Sequence, residues 1–302
     1  MYLNHAFDKS LEKLLVYTTI PVYILFIGLE LYLGHIHKKV YYEKKDSINS
    51  LLLGLGGAGF DLLMKGFGVL IFTYVIAHWQ ITKIENAIWY WVALFFVQDF
   101  LFYWLHRTEH TVRLFWAVHV NHHSSEKYNF MVALRSSMIQ PLYRYLFFLP
   151  AALFGFEPMD IMLMYAINQI YQFFLHTETV GKLGFFEKFM VTPSHHRVHH
   201  ASNIKYLDKN MGQVLIIWDK LFGTFQVEEE KDVPKYGLTY AIKDQNFFTI
   251  WLHEWVSIGK DMSRTKKPKD KIKYLFNPPG WSHDGSTKTA KHLRKEEETS
   301  IY

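Results

Sequence analysis

Residues 87–110 read AIWYWVALFFVQDFLFYWLHRTEH, a stretch whose apolar part, to about residue 105, holds one carboxylate, Asp99, and which ends in His106 and His110. From about 87 to 105 the run is long enough to cross a bilayer as a helix. Histidines at i and i+4 project from one face of a helix, so the end of this span offers two imidazoles to a common point. The stretch predicts a membrane helix that carries ligands into whatever caps it.

Working outward, residues 14–34 form a second run of spanning length, interrupted by Glu30, and residues 51–77 a third. The first run is too long for a secretory signal, holds a glutamate and lacks a clear small-x-small cleavage site, so it reads as a retained span. Two shorter runs, about 138–156 and 160–175, cross as a tight pair through the Gly155–Asp160 turn or enter and leave on one side. Either way the chain returns to its starting face. Lys38, Lys39, Lys44 and Lys45 follow the first run and place that loop in the cytoplasm. Counting spans from there brings His106 and His176 out on the cytoplasmic side.

Ten of the seventeen histidines lie between residues 106 and 200. They form His106/His110, then His119/His122/His123, then His196/His199/His200, and each cluster is expected to address one point. Eight imidazoles are too many for one metal, which predicts two ions with positions left for water or dioxygen. The chain has no cysteine, and imidazole suits iron, zinc, copper and nickel, so the ligands alone do not name the metal. His176, which span counting places beside the clusters, is a ninth candidate ligand. His195 points off the face shared by the third cluster and reads as a supporting residue. Asp99 lies two helical turns before His106, placed to hold the free nitrogen of a ligating imidazole or to sit hydrated at the membrane surface. His5, His35, His37, His78, His253, His283 and His292 lack such spacing.

The glycines at 54, 56 and 59 spell G-x-G-x-x-G, but they open a membrane-length apolar run and not a strand–turn–helix unit. They read as close helix packing. Trp79, Trp89, Tyr90 and Trp91 read as an aromatic belt. The net charge of +5 owes much to Lys266, Lys267, Lys269, Lys271 and Lys273, which suit anionic headgroups better than nucleic acid. The expected fold is all-α. Residues 1–226 form a multi-pass membrane helical domain with a cytoplasmic, histidine-rich di-metal helical cap. Residues 227–302 form a polar extension packed on the cap or membrane surface, with Phe247, Phe248, Trp251 and Trp255 as an amphipathic anchor or a core contact. The end, KHLRKEEETSIY, is expected to be a disordered, solvated tail.

Asp99-Phe-Leu-Phe-Tyr-Trp-Leu-His106-Arg, followed twice by H-x-x-H-H, resembles the fatty acid hydroxylase and sterol desaturase superfamily of membrane di-iron oxygenases over about residues 90–225. The segments NHHSSEKYNFMVALR (121–135), HTE (176–178), TPSHHRVHH (192–200) and DKNMGQVLIIWDKLFGTF (208–225), with PPGW at 278–281, are most similar to the alkylglycerol monooxygenase branch. The resemblance implies two iron ions, which zinc can replace in purified protein, held by His106, His110, His119, His122, His123, His176, His196, His199 and His200. It implies that Glu126, Tyr128, Asn129, Arg135, Glu178, Asp208 and Asn210 orient ligands or touch substrate and reductant. It further implies a lipid substrate, dioxygen, hydroxylation of the carbon beside an ether oxygen, and tetrahydropterin as reductant. One position departs: Thr111 stands where that branch carries a glutamate, and the nearby Glu109 lies on a different helical face.

The sequence holds no recognisable electron-transfer module, so electrons come from a diffusible pterin or a partner reductase. Two other functions use the same residues. Relatives in the superfamily hydroxylate or desaturate acyl chains, sterols and carotenoids. A non-catalytic membrane metal-binding protein or transporter would instead place its ligands near the bilayer midplane, whereas these begin where spans end.

Overall fold

The computed structural model describes residues 9–300. Three helices, α1 (Lys9–His37), α2 (Lys44–Trp79) and α3 (Ala87–Thr111), contain stretches long and apolar enough to cross a membrane. They do different work. Of the apolar window of α3, 44% is buried inside the protein, against 11% for α1 and 17% for α2, so α3 is the central helix and the other two leave most of their apolar surface uncovered. Each helix runs past the end of its apolar stretch. For α3 this carries the span without a break into His106 and His110, with Asn86 capping its start by accepting from the backbone N–H of Ile88 and Trp89.

At Val112 the chain leaves helical geometry and turns back as α4 (Arg113–His123), which packs on the end of α3. After the one-turn α5 (Phe130–Ala133) come α6 (Pro141–Phe147), α7 (Leu149–Leu153) and α8 (Pro158–Leu175). The apolar run at 138–156 is thus two short helices, since Pro150 has no N–H to continue the preceding helix. The α6–α7 arm meets α8 at a bend of 120°. Gly155 makes the turn at φ +79°, where a Cβ would collide with Gln80 and the Thr82 carbonyl.

The cap adds α9 (Pro193–His199), α10 (Ile217–Phe222), α11 (Phe247–Ser263), α12 (Pro268–Phe276) and α13 (Ala290–Ser300). Among the described residues there is no strand, only three isolated bridges. The fold is all-helical with three candidate spans. The glycine-rich run lies within α2, where a Cβ on Gly54 would fall 2.5 Å from the Leu134 carbonyl; the close partner is the loop after α5, not another helix.

Two charges in the early spans turn out to tie elements together. Glu30, 1% exposed, accepts from the Phe130 N–H at 3.0 Å and from the hydroxyls of Tyr42 and Thr177, joining α1 to the start of α5 and to the residue after His176. Asp46 at the start of α2 pairs with Arg135 at 2.9 Å. Residues beyond 227 pack on the cap through Arg113, which reaches Glu254 and Asp261, each at 2.7 Å. Ile250, Glu254 and Ile258 form the buried face of α11, leaving Phe248 exposed and Phe247, Trp251 and Trp255 half-buried. The tail, expected to be disordered, is helical over 290–300. Arg294 donates to the Leu207 carbonyl at 2.5 Å and Lys288 pairs with Glu296 at 2.7 Å, partners remote in sequence or supplied by the helix itself.

A candidate metal centre of nine histidines

The nine histidines converge into two groups. His106, His110, His119, His123 and His199 form one, and His122, His176, His196 and His200 the other; within each, one nitrogen per ring lies within 4.8 Å of all the rest. The rings are buried except His122, which is half-buried.

The partition corrects the expectation that each cluster serves one point. His119 and His123, at i and i+4, enter the five-histidine group, while His122 between them enters the other. In the third cluster His196 and His200 enter the four-histidine group and His199 crosses to the first. Successive helical residues point about 100° apart, so a pair of adjacent histidines straddles two sites.

What stands behind the rings sets which nitrogen faces inward. The Nδ1 atoms of His106, His122, His176 and His199 lie 2.9, 3.1, 2.8 and 2.9 Å from the carbonyls of Met211, Arg135, Gln172 and Lys209. A carbonyl only accepts, so each Nδ1 carries the proton and each Nε2 presents a lone pair. His122 and His176 nevertheless bring those lone pairs to 3.3 Å. Two bare acceptors at that separation repel unless a cation lies between or beside them. The Nε2 atoms of His110, His199 and His200 are buried with no hydrogen-bond partner among the described residues. The donor set fits metal ions, one per group, and imidazole donors without thiolate suit iron among others.

Burial, reinforced by neighbouring imidazoles, holds His119, His123, His196, His199 and His200 well below the ordinary imidazole range, and does the same for His122. Burial pushes His176 down to about 4. Neutral rings are the form that ligates metal.

The supporting residues differ from the expected set. Asp99 hydrogen-bonds to no imidazole among the described residues. It accepts from the N–H of Val214 (2.8 Å) and Leu215 (3.1 Å) and from Trp218 Nε1 (2.8 Å), pinning the loop whose Met211 carbonyl holds His106. His195 is the N3 partner in the Thr192 capping box of α9. Asn129 caps α5 and donates to the Tyr41 carbonyl. Glu126 is exposed and meets Gln245, and Glu178 makes no hydrogen bond to any of the nine rings. Arg135 is fully buried. It spans Asp46, Ser124 and the Asn121 carbonyl while its own carbonyl holds His122. Tyr128 stacks on His176 at 5.7 Å.

Asp208 and Asn210 bracket Lys209, with φ of 52° and 54°, left-handed values that aim the Lys209 carbonyl at His199. Asp208 also lies 3.5 Å from His110 Nδ1. Asn210 secures the segment by donating to the His195 and Gln226 carbonyls.

Glu109, expected away from the site, is part of it. Its Oε2 lies 3.4 Å from His119 Nδ1, and its Oε1 accepts from Gln140 (2.8 Å) and Tyr143 (2.7 Å). Its i+3 spacing from His106 was the available signal. Thr111 instead bonds its own helix at the Arg107 carbonyl. A cavity of about 460 Å³ opens onto His110, His123, His199 and His200, with Trp116, Asp208 and Tyr240 in its walls.

Residues 91–224 match the sequence profile of the fatty acid hydroxylase family. The chain is also 37% identical over 263 residues to the alkylglycerol monooxygenase of Homo sapiens, an alignment covering 86% of this chain and 58% of that protein. Residues 91–224 are a fatty acid hydroxylase segment. The alkylglycerol monooxygenase of Xenopus tropicalis is 35% identical over 285 residues, covering 93% of the chain and 63% of the relative. That of Caenorhabditis elegans is 37% identical over 280 residues, covering 88% and 53%. The chain therefore spans between 53% and 63% of the length of these three relatives. No solved structure matches. All nine histidines lie inside the fatty acid hydroxylase segment, while Tyr240 and other walls of the cavity come from residues beyond it.

Proposed function

We propose that this protein is an integral-membrane di-iron lipid monooxygenase that acts on alkylglycerols. The observation that carries the reading is the pair of buried imidazole groups with lone pairs turned inward, seated where the apolar helix α3 ends. His106, His110, His119, His123 and His199 would hold one ion, and His122, His176, His196 and His200 the other. When bound, the metals supply activation of dioxygen for insertion of oxygen beside the ether oxygen. The hydroxylated product is a hemiacetal, which splits into a fatty aldehyde and glycerol.

The protein's own part is orientation and exclusion. Backbone carbonyls fix four rings, Glu109 and Asp208 back two more, and burial keeps bulk water from the centre. The lipid chain would arrive from the bilayer along the apolar spans. The cavity beside His110 and His123 would admit the reductant from the opposite side, with Trp116 and Tyr240 offering ring faces to a flat heterocycle such as a tetrahydropterin. Lys38, Lys39, Lys44 and Lys45 support a cytoplasmic position for this face.

The test is aldehyde release from an alkylglycerol by iron-loaded membranes, with and without tetrahydropterin, against a variant with His122→Ala and His123→Ala. Pterin-dependent aldehyde that vanishes in the variant is the expected result. Absence of aldehyde from protein with both groups iron-loaded would remove the ether-lipid substrate, and a desaturated product would remove hydroxylation.

A further inference from the structure

A second site lies deeper in the helical bundle. Gln98 on α3 is completely buried, and neither its amide oxygen nor its amide nitrogen has a hydrogen-bond partner among the described residues. A buried amide left unpaired is costly, most of all within an apolar span, and a ligand that pairs it removes that cost. Gln98 lines a cavity of about 220 Å³ between α2, α3, α6 and α8, walled by Phe72, Phe148 and Ile161. Asp61, Lys65 and Arg144 supply the cavity's other polar edge, with Arg144 paired with Asp61 and reaching the Tyr165 hydroxyl at 3.4 Å. Its rim runs from Leu15 on α1 to the exposed Ala166 on α8, so the cavity opens sideways onto the lipid-facing surface.

The site is separate from the metal centre. Gln98 precedes His106 by eight residues, about 12 Å along the helix. None of the nine histidines lines the cavity. The chemistry of the amide narrows the occupant. Gln98 offers one acceptor and one two-proton donor, and a hydroxyl group, which both donates and accepts, satisfies both. An ether or carboxylate accepts only and would leave Oε1 unpaired. An ammonium head donates only and would meet the guanidinium of Arg144.

We propose that this cavity is a lateral binding site for an uncharged lipid whose polar end carries a hydroxyl group, held by Gln98 beside the Arg144–Asp61 pair. Its chain leaves past Ala166 into the bilayer.

The test uses the full chain in nanodiscs, without reductant, and compares the thermal shift produced by hexadecanol with that produced by hexadecyl methyl ether, which cannot donate. The expected result is a higher Tm with hexadecanol and little change with the ether. Gln98→Leu should abolish the difference while raising the Tm of the lipid-free protein, because it removes the unpaired amide. Ala166→Phe, at an exposed position on the rim, should also abolish it and checks the conclusion should Gln98→Leu fold poorly. Equal shifts from both lipids in the unaltered protein would overturn the proposal and leave a cavity that holds water only. A difference that persists in both variants would also overturn it, by placing the hydroxyl elsewhere. Metal content, unaffected by either substitution, keeps the outcome independent of the reading of the histidine centre.

Discussion

The five-histidine and four-histidine groups share α4 and α9 but differ in what stands behind their rings. The first has two carbonyls and two carboxylates: Met211 behind His106, Lys209 behind His199, Glu109 beside His119 and Asp208 beside His110. The second has the carbonyls of Arg135 and Gln172, and the face of Tyr128, with no carboxylate meeting its rings among the described residues. A carboxylate behind an imidazole fixes its tautomer and raises its basicity. With one more ligand and two anionic partners, the first group should grip its ion more tightly, and the second should keep more room for an incoming ligand.

The comparison breaks most visibly at the paired histidines. His123→Ala should empty the five-histidine group and His122→Ala the four-histidine group, each lowering activity by more than about 100-fold. Metal analysis and turnover on both variants check this; depletion of the same ion by both would undo the partition. Next in size is Arg135→Ala, which strands Asp46 in the interior and frees the backbone that holds His122. It should destabilise the protein by about 3–5 kcal/mol and release the ion of the four-histidine group first, while Arg135→Lys recovers part of the loss. Thermal unfolding followed alongside metal content separates the two effects.

Glu109→Gln keeps the bonds from Gln140 and Tyr143 within reach but removes the negative charge behind His119. Metal affinity at the five-histidine group should fall by about 10–100-fold, read from a chelator titration, with the four-histidine group unchanged. Asp208→Asn should have a smaller effect, since its side chain is 33% exposed and stands 3.5 Å from His110. Should the chelator strip the five-histidine group first in the unaltered protein, the ranking of the two groups would be wrong.

The smallest effect concerns pH. His176 is pushed by burial from the usual 6.5 down to about 4. Above 6.5 the ring is neutral in folded and unfolded chains alike and contributes no pH dependence. As pH falls from 6.5 to about 4, the unfolded chain takes up a proton that the folded chain refuses, so stability falls; below about 4 the loss levels off. Metal-free protein should show this slope in Tm, and His176→Gln should lack that part of it.

Much of the site was legible because imidazole spacing on a helix is a local property. The clusters, the ninth histidine and the spans could be read from runs of a few dozen residues. Glu109 could have been found from its spacing to His106. Asp99 could not: it lies on the expected helix, but its partners are backbone N–H groups at 214 and 215, far along the chain. Glu126 and His195 sit beside ligands in sequence and turn to other tasks, one exposed and one capping α9, because neighbours in a chain need not share a direction.

An all-helical chain with three apolar stretches of spanning length and nine clustered imidazoles follows from the residues alone, since apolar length and helical periodicity depend only on near neighbours. Tertiary structure decided which histidine belongs to which group, which carbonyl fixes each ring, and that Glu30, Asp46 and Asp99 are anchors. Several of those outcomes rest on contacts between residues far apart in the chain, such as His106 with Met211 and Asp99 with Val214, and such contacts exist only after the helices have packed.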